Sequence, residues 1–263
     1  METILHKILV EKEKEVALLK EKGVNLYESL PKRKTFIQKL KQDKNIAIIA
    51  EYKRASPSRG LINGNIGPGE QAKMYELAGA TAISVLTDQK FFNGSFDDLK
   101  EVRSAVDLPL LCKDFIIDEL QIDHAYQAGA DIILLIVAAL TETRLQSLKT
   151  YAESLGLEVL VEIHNEEELA IAEQAGAKLI GINNRDLRTF EVSLNTTTEL
   201  GPRVLASGAC LISESGMKTA ADARLAASAG AQGLLIGQTL MESGNLEEGL
   251  REFIVPKMEV ARR

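Results

Sequence analysis

The run Ala128-Gly129-Ala130-Asp131-Ile132-Ile133-Leu134-Leu135-Ile136-Val137 decides the fold. Its glycine is placed to end a helix and its alanines are small enough to pack closely behind it. The apolar run that follows is too continuous for a half-exposed strand and suits one covered on both faces, as in a parallel sheet. The same Ala-Gly-Ala recurs at Ala78, Ala175 and Ala229, each time just before an apolar run: Thr81 to Leu86, Lys178 to Asn183 and Gln232 to Gly237. A spacing of about fifty residues marks an internal repeat of one supersecondary unit. Four more runs, Ile46 to Lys53, Leu108 to Lys113, Leu157 to Glu162 and Ala209 to Glu214, bring the strands to eight. Helix-like segments separate them, several opening on capping pairs: Ser95 with Asp98, Asp118 with Gln121, Asn165 with Glu168, Thr219 with Asp222. Eight such alternations predict an α/β fold of the closed (β/α)8 type, a TIM barrel. An open doubly wound sheet is the alternative, but it usually has fewer strands and leaves edges that closure removes.

Residues 1–45 precede the first strand and read as an amino-terminal helical extension. Ile4, Leu5, Ile8 and Leu9 carry a helical period, and the alternating charges from Glu11 to Glu15 read as a solvated helix face. Gly23, Pro31 and the basic run Lys32 to Lys34 break this segment, and Phe36, Ile37 and Leu40 predict a second short helix. Residues 1–263 are then one barrel domain that includes this extension, with no second catalytic domain fused to it.

Composition narrows the function. A net charge of -7 opposes general binding to nucleic acid, which needs Lys and Arg to displace the counterions around phosphates. The longest apolar run, Ile132 to Leu140, is too short to span a bilayer, and no signal-peptide pattern opens the chain, so no membrane partner is expected. Cys112 and Cys210 each lie in an apolar run and read as buried reduced thiols, which fits a cytoplasmic protein.

The strand ends carry the chemistry. Glu51 and Lys53 close the first predicted strand, two apart and therefore on one side; Lys113 closes the third, Glu162 the fifth, Asn183 the sixth, and Glu214 with Ser215 the seventh. In a β/α barrel these ends line the active site, and lysines set among carboxylates alter one another's titration, which suits general acid-base work. Ser56, Pro57, Ser58 and Gly60 form a tight loop after the first strand. Ser215-Gly216 and Gly237-Gln238 follow the last two, where backbone N–H groups of such barrels bind phosphate, and Arg185 adds a charge beyond Asn183. Lysines interleaved with the carboxylates would repel a divalent cation, so no metal is expected. His6, His124 and His164 have no ligand spacing and read as solvated or cap-region residues; His164 alone comes near the rim.

Over essentially its whole length the chain resembles the indole-3-glycerol phosphate synthase family. The resemblance is carried by Ile49-Ala50-Glu51-Tyr52-Lys53-Arg54-Ala55-Ser56-Pro57-Ser58, by Ser84-Val85-Leu86-Thr87 with Phe91-Phe92-Asn93-Gly94-Ser95, and by Lys113-Asp114-Phe115-Ile116. Further along come Leu160-Val161-Glu162, Gly181-Ile182-Asn183-Asn184-Arg185-Asp186-Leu187 and Ser213-Glu214-Ser215-Gly216. It implies a β/α barrel with extra amino-terminal helices and a carboxy-lyase of tryptophan biosynthesis. Such an enzyme closes 1-(2-carboxyphenylamino)-1-deoxyribulose 5-phosphate to indole-3-glycerol phosphate with no cofactor.

By the same resemblance, Lys113 is the acid that protonates the carbonyl oxygen and Lys53 lies near the substrate carboxylate. Glu162 is the second acid-base group, while Glu51, Asn183 and Glu214 orient lysines and substrate, with Ser215 beside them. Phosphate is expected on Ser56, Arg185, Gly216, Gly237 and Gln238, and the anthranilate ring among Pro57, Leu86, Phe92, Phe115 and Leu134. Gln238 departs from the Ser or Glu often found there, although its backbone N–H still serves. The expected partner is a small phosphorylated substrate, and the expected state a monomer or weak homo-oligomer. Two rivals remain at this stage. One is a Schiff-base aldolase, which needs a neutral Lys53 or Lys113; the other is a phosphate-binding barrel without turnover, since fold alone never establishes chemistry.

Overall fold

The computed structural model describes residues 3–23, 34–57, 60–61 and 66–258. Pro31, Lys32, Arg33 and Ser58, singled out above as breakers and loop residues, lie outside them. Eight parallel strands close a barrel in chain order: β1 (Ala47–Tyr52), β2 (Ala82–Leu86), β3 (Leu110–Lys113), β4 (Ile132–Ile136), β5 (Glu158–Ile163), β6 (Leu179–Asn183), β7 (Cys210–Glu214) and β8 (Gly233–Ile236). β8 pairs back with β1, Ala47 opposite Gly233 and Ala50 opposite Ile236, so the sheet has no free edge. The predicted strands are all present, trimmed by one or two residues at their ends, except that β5 runs one residue past Glu162. The four Ala-Gly-Ala glycines, Gly79, Gly129, Gly176 and Gly230, all adopt positive φ at the ends of helices, which is why glycine recurs there.

Strand alternation sorts the side chains. Ala47 and Ile49, Leu111, Leu160, Leu179, Ile212 and Leu235 fill the barrel interior, while Ile48, Ala50, Tyr52, Cys112 and Val161 face the surrounding helices. Continuing the inward set one step toward the carboxyl ends reaches Glu51, Lys113, Glu162 and Glu214. The rim chemistry is therefore the top layer of the same packing that builds the core. Both cysteines are free and buried, Cys112 outside the barrel and Cys210 inside it.

The extension covers both ends. Helix α2 (Phe36–Gln42) plugs the amino-terminal end: Phe36 and Leu40 join the interior cluster, and Glu158 at the start of β5 accepts the N–H groups of Phe36 at 3.0 Å and Ile37 at 3.0 and 3.2 Å. Helix α1 (Ile4–Lys22), capped by Thr3, lies over the opposite end. One expectation fails here. Lys12, inside the charge run assigned to solvent, is only 1% exposed and pairs with Asp88 at 2.9 Å, Asp114 at 2.7 Å and Glu15 at 2.8 Å. Lys12 falls four residues after Ile8 and four before Val16, on the buried stripe of the helix, so helical period outweighs the charge pattern. Among the described residues no helix is long and apolar enough to cross a membrane.

Candidate active site

At the carboxyl end of the barrel a cavity of about 840 Å³ opens between the strand ends, the loops that follow them and helix α1. Glu51, Lys53, Ser56, Pro57, Leu86, Phe92, Lys113, Phe115, Leu134, Glu162, Asn183, Arg185, Ser215, Gly216, Gly237 and Gln238 all line it. Glu214 stands just beneath. Its carboxylate is 1% exposed and accepts from Lys113 Nζ at 2.5 Å, without lining the cavity itself. The predicted site residues thus converge.

Lys113 holds the centre. Glu214 lies on one side and Glu162 at 3.7 Å on the other; Asn183 donates its amide to Glu162 at 3.1 Å. Lys53 donates to Glu51 at 2.5 Å, two residues back on the same strand face. Asn183 Oδ1 then accepts the Ser215 hydroxyl at 2.9 Å and the Arg185 N–H at 3.1 Å, tying the loops after β6 and β7 together. Ser215 itself has φ 64°, in the left-handed region a serine seldom enters, beside Gly216 at 87°. Two glycines leave room for this cluster. A Cβ on Gly181 would lie 2.1 Å from Glu214 Oε1, and one on Gly237 would lie 2.5 Å from Glu51 Oε1.

Burial and charge pull against each other at every carboxylate. Desolvation pushes the Glu51 carboxyl up, but the ammonium groups of Lys53 and Lys113 outweigh it and hold the group below its usual range. Glu162 is likewise pushed up by burial and held down by His164, Lys113 and Asn183. For Glu214 burial prevails over Lys113, with Glu162 and Glu51 adding repulsion, so its carboxyl lies above the usual range. Burial would deprotonate Lys113, yet Glu214, Glu162 and Glu51 together raise it above an ordinary lysine, so it is an ammonium ion. Such a lysine donates protons and does not attack carbonyls, which counts against the Schiff-base rival. Among the described residues no group of three or more His, Cys, Asp or Glu side chains is arranged to hold a metal ion.

The sequence model of indole-3-glycerol phosphate synthase matches residues 5–253. The chain belongs to that family. A synthase of this name from Oceanobacillus iheyensis is 52% identical over 257 residues, covering 98% of each chain, and one from Bacillus cereus is 51% identical over 248 residues, covering 94% of this chain and 96% of its own. Among solved structures, thiamine phosphate pyrophosphorylase from Pyrococcus furiosus superposes with a TM-score of 0.59 at 16% identity. The match spans 79% of this chain and 93% of that one, a likeness of fold alone.

Two parts of the site are missing from the sequence reading, and a third is placed near the rim without a role. Ile4, Leu5 and Ile8 of α1 line the cavity, as do Leu187, Phe190 and Val192 from the loop after β6. The apolar period of α1 announces a buried face without saying what it covers. The third is His164, expected to be a solvated or cap-region residue. It is 13% exposed, with Nε2 3.4 Å from Glu162 Oε1 and Nδ1 3.0 Å from Glu168 Oε2. A signal for it was present, since His164 has the same strand parity as Glu162 and lies four residues before the capping Glu168.

Proposed function

We propose that the chain catalyses the decarboxylative, dehydrating ring closure of 1-(2-carboxyphenylamino)-1-deoxyribulose 5-phosphate to indole-3-glycerol phosphate, the reaction its family is named for. The reading rests chiefly on the Lys113 ammonium held between Glu214 and Glu162 beside a cavity lined by apolar side chains such as Leu86, Phe92 and Phe115 and by the turns at Gly216 and Gly237. The ring carbon that bears the carboxylate attacks the ribulose carbonyl, and the carbonyl oxygen takes a proton from Lys113 and becomes a hydroxyl. Loss of carbon dioxide returns its bonding electrons to the ring. The hydroxyl then leaves as water with a proton from one of the two lysines, while Glu162 accepts the proton released from the neighbouring carbon as the indole double bond forms.

Lys53 balances the substrate carboxylate before it leaves, with Glu51 holding the lysine in place. Asn183 and Ser215 orient Glu162 and the substrate, and Glu214 orients Lys113. Pro57, Leu86, Phe92, Phe115 and Leu134 take the anthranilate ring. Ser56, Arg185 and the backbone at Gly216, Gly237 and Gln238 take the phosphate. With this reading go a cytoplasmic location, a single barrel domain, a monomer or weak homo-oligomer, and no metal or organic cofactor.

Lys113→Ala and Arg185→Ala separate the roles. Replacing Lys113 should lower kcat by at least about 10³-fold with little change in substrate affinity, since it removes an interaction made in the transition state. Replacing Arg185 should mainly raise KM. Near-normal turnover in Lys113→Ala would refute its assignment as the acid.

A further inference from the structure

His164 follows β5 at its carboxyl end, and its ring stands between two carboxylates. Nδ1 is 3.0 Å from Glu168 Oε2 and Nε2 is 3.4 Å from Glu162 Oε1. Only Nδ1 is hydrogen-bonded; Nε2 is buried without a hydrogen-bond partner, within ion-pair reach of Glu162 but not aligned for a hydrogen bond. A neutral ring protonated at Nδ1 would turn its lone pair on the Glu162 side, whereas the imidazolium presents positive charge to both carboxylates. The ring is not free to choose another orientation, because a helix cap fixes its outer partner. Asn165 caps helix α3 (Glu166–Gln174) by accepting the Glu168 N–H at 2.9 Å, and its amide donates to Glu168 Oε1 at 2.9 Å. Glu168 Oε2 then accepts the His164 backbone N–H at 2.8 Å as well as facing Nδ1. The cap holds Glu168, Glu168 holds the ring, and the ring faces Glu162.

We propose that His164 is a positioning residue for the ring closure: clamped between Glu168 and Glu162, its imidazolium keeps Glu162 ionised and turned toward Lys113 and Asn183. The proposal rests on Glu162 being the second acid-base group. The cluster explains why a cation belongs there. On the inner rim Lys53 pairs closely with Glu51 and Lys113 with Glu214, while Glu162 is left 3.7 Å from Lys113, and His164 places a further positive charge beside it. The charged groups facing the imidazole are Glu162 on β5 and Glu168 on α3; around Glu162 stand Lys113 on β3, Asn183 on β6, and the carboxyl groups of Glu214 and Glu51. Burial works against the imidazolium, but the two carboxylates outweigh it and raise its pKa to about 10. Glu162 therefore keeps its cation across the neutral range and loses it only as pH rises through that value.

The test is the pH dependence of kcat and KM, from pH 5 to 9.5, for the full chain and for His164→Gln, Glu168→Gln and Glu162→Gln, with far-UV circular dichroism confirming the fold of each. His164→Gln should lower kcat about 5- to 20-fold with KM within about twofold, and should move the acid limb of the kcat profile to higher pH, because the rim carboxylates then hold a proton more tightly. Gln can still cap at position 168, so Glu168→Gln should match the parent near pH 6 and lose activity progressively toward pH 9.5 as the less supported imidazolium deprotonates. Unchanged kcat and acid limb in a folded His164→Gln would overturn the proposal, as would a loss equal at every pH. Should His164→Gln fail to fold, the pH trend of Glu168→Gln decides in the same sense. Full activity in Glu162→Gln would sink the reading of Glu162 itself, whereas an inactive Glu162→Gln beside a normal His164→Gln defeats this inference alone.

Discussion

Gly181 lacks a side chain at the one place on β6 where Glu214 needs the space. A Cβ there would approach Glu214 Oε1 to 2.1 Å, against backbone fixed by pairing with β5 and β7. Gly181→Ala should therefore displace the Glu214 carboxylate from Lys113, lowering kcat by about tenfold or more and stability by about 1–3 kcal/mol, the usual cost of overpacking a buried site. Steady-state kinetics with thermal unfolding would show it, and parent-like values in both would mean that Glu214 is free to move. The rim residues themselves were legible from strand parity, because each inward-facing end is the next step of a run that also builds the core. The pairing of Lys53 with Glu51 follows from their spacing of two on one strand, whereas that of Lys113 with Glu214, from across the barrel, depends on barrel geometry and not on sequence distance.

At the scale of elements, the four Ala-Gly-Ala units mark every second strand and the apolar runs between them supply the other four, since every such glycine ends a helix at positive φ and delivers the chain to the next strand. Helix α1 was the element least legible. Its charges read as a solvated face, yet Lys12 shares the buried stripe with Ile8 and Val16 and meets Asp88 and Asp114 under the helix. Those two aspartates belong to the loops beside the site. Asp88 accepts the Phe91 N–H at 2.7 Å, and Asp114, next to Lys113, accepts the Thr87 hydroxyl at 2.6 Å and the Phe115 N–H at 2.7 Å. Breaking a buried pair by removing one partner typically costs about 3–5 kcal/mol, so Lys12→Met should destabilise the chain by that order and loosen α1 from the rim. Denaturant unfolding and proteolysis within α1 would register both. A loss under about 1 kcal/mol would mean that water reaches the aspartates and the lysine is dispensable.

For the whole molecule, a net charge of -7 coexists with a cavity that carries Lys53, Lys113 and Arg185, so the chain repels polyanions broadly while retaining local cations for one small anionic substrate. Barrel, plug and cover serve one end. Helix α2 seals the amino-terminal mouth, α1 roofs the carboxyl one, and the interior layers rise to a rim whose last side chains are lysines and carboxyl groups. The most direct measurement is a continuous assay of the purified chain with the carboxyphenylamino-deoxyribulose phosphate, following indole fluorescence with and without a chelator. Indole-3-glycerol phosphate should appear at the same rate in both. Saturable binding of the substrate with no product, or a rate abolished by the chelator, would contradict the acid-base account built on Lys113.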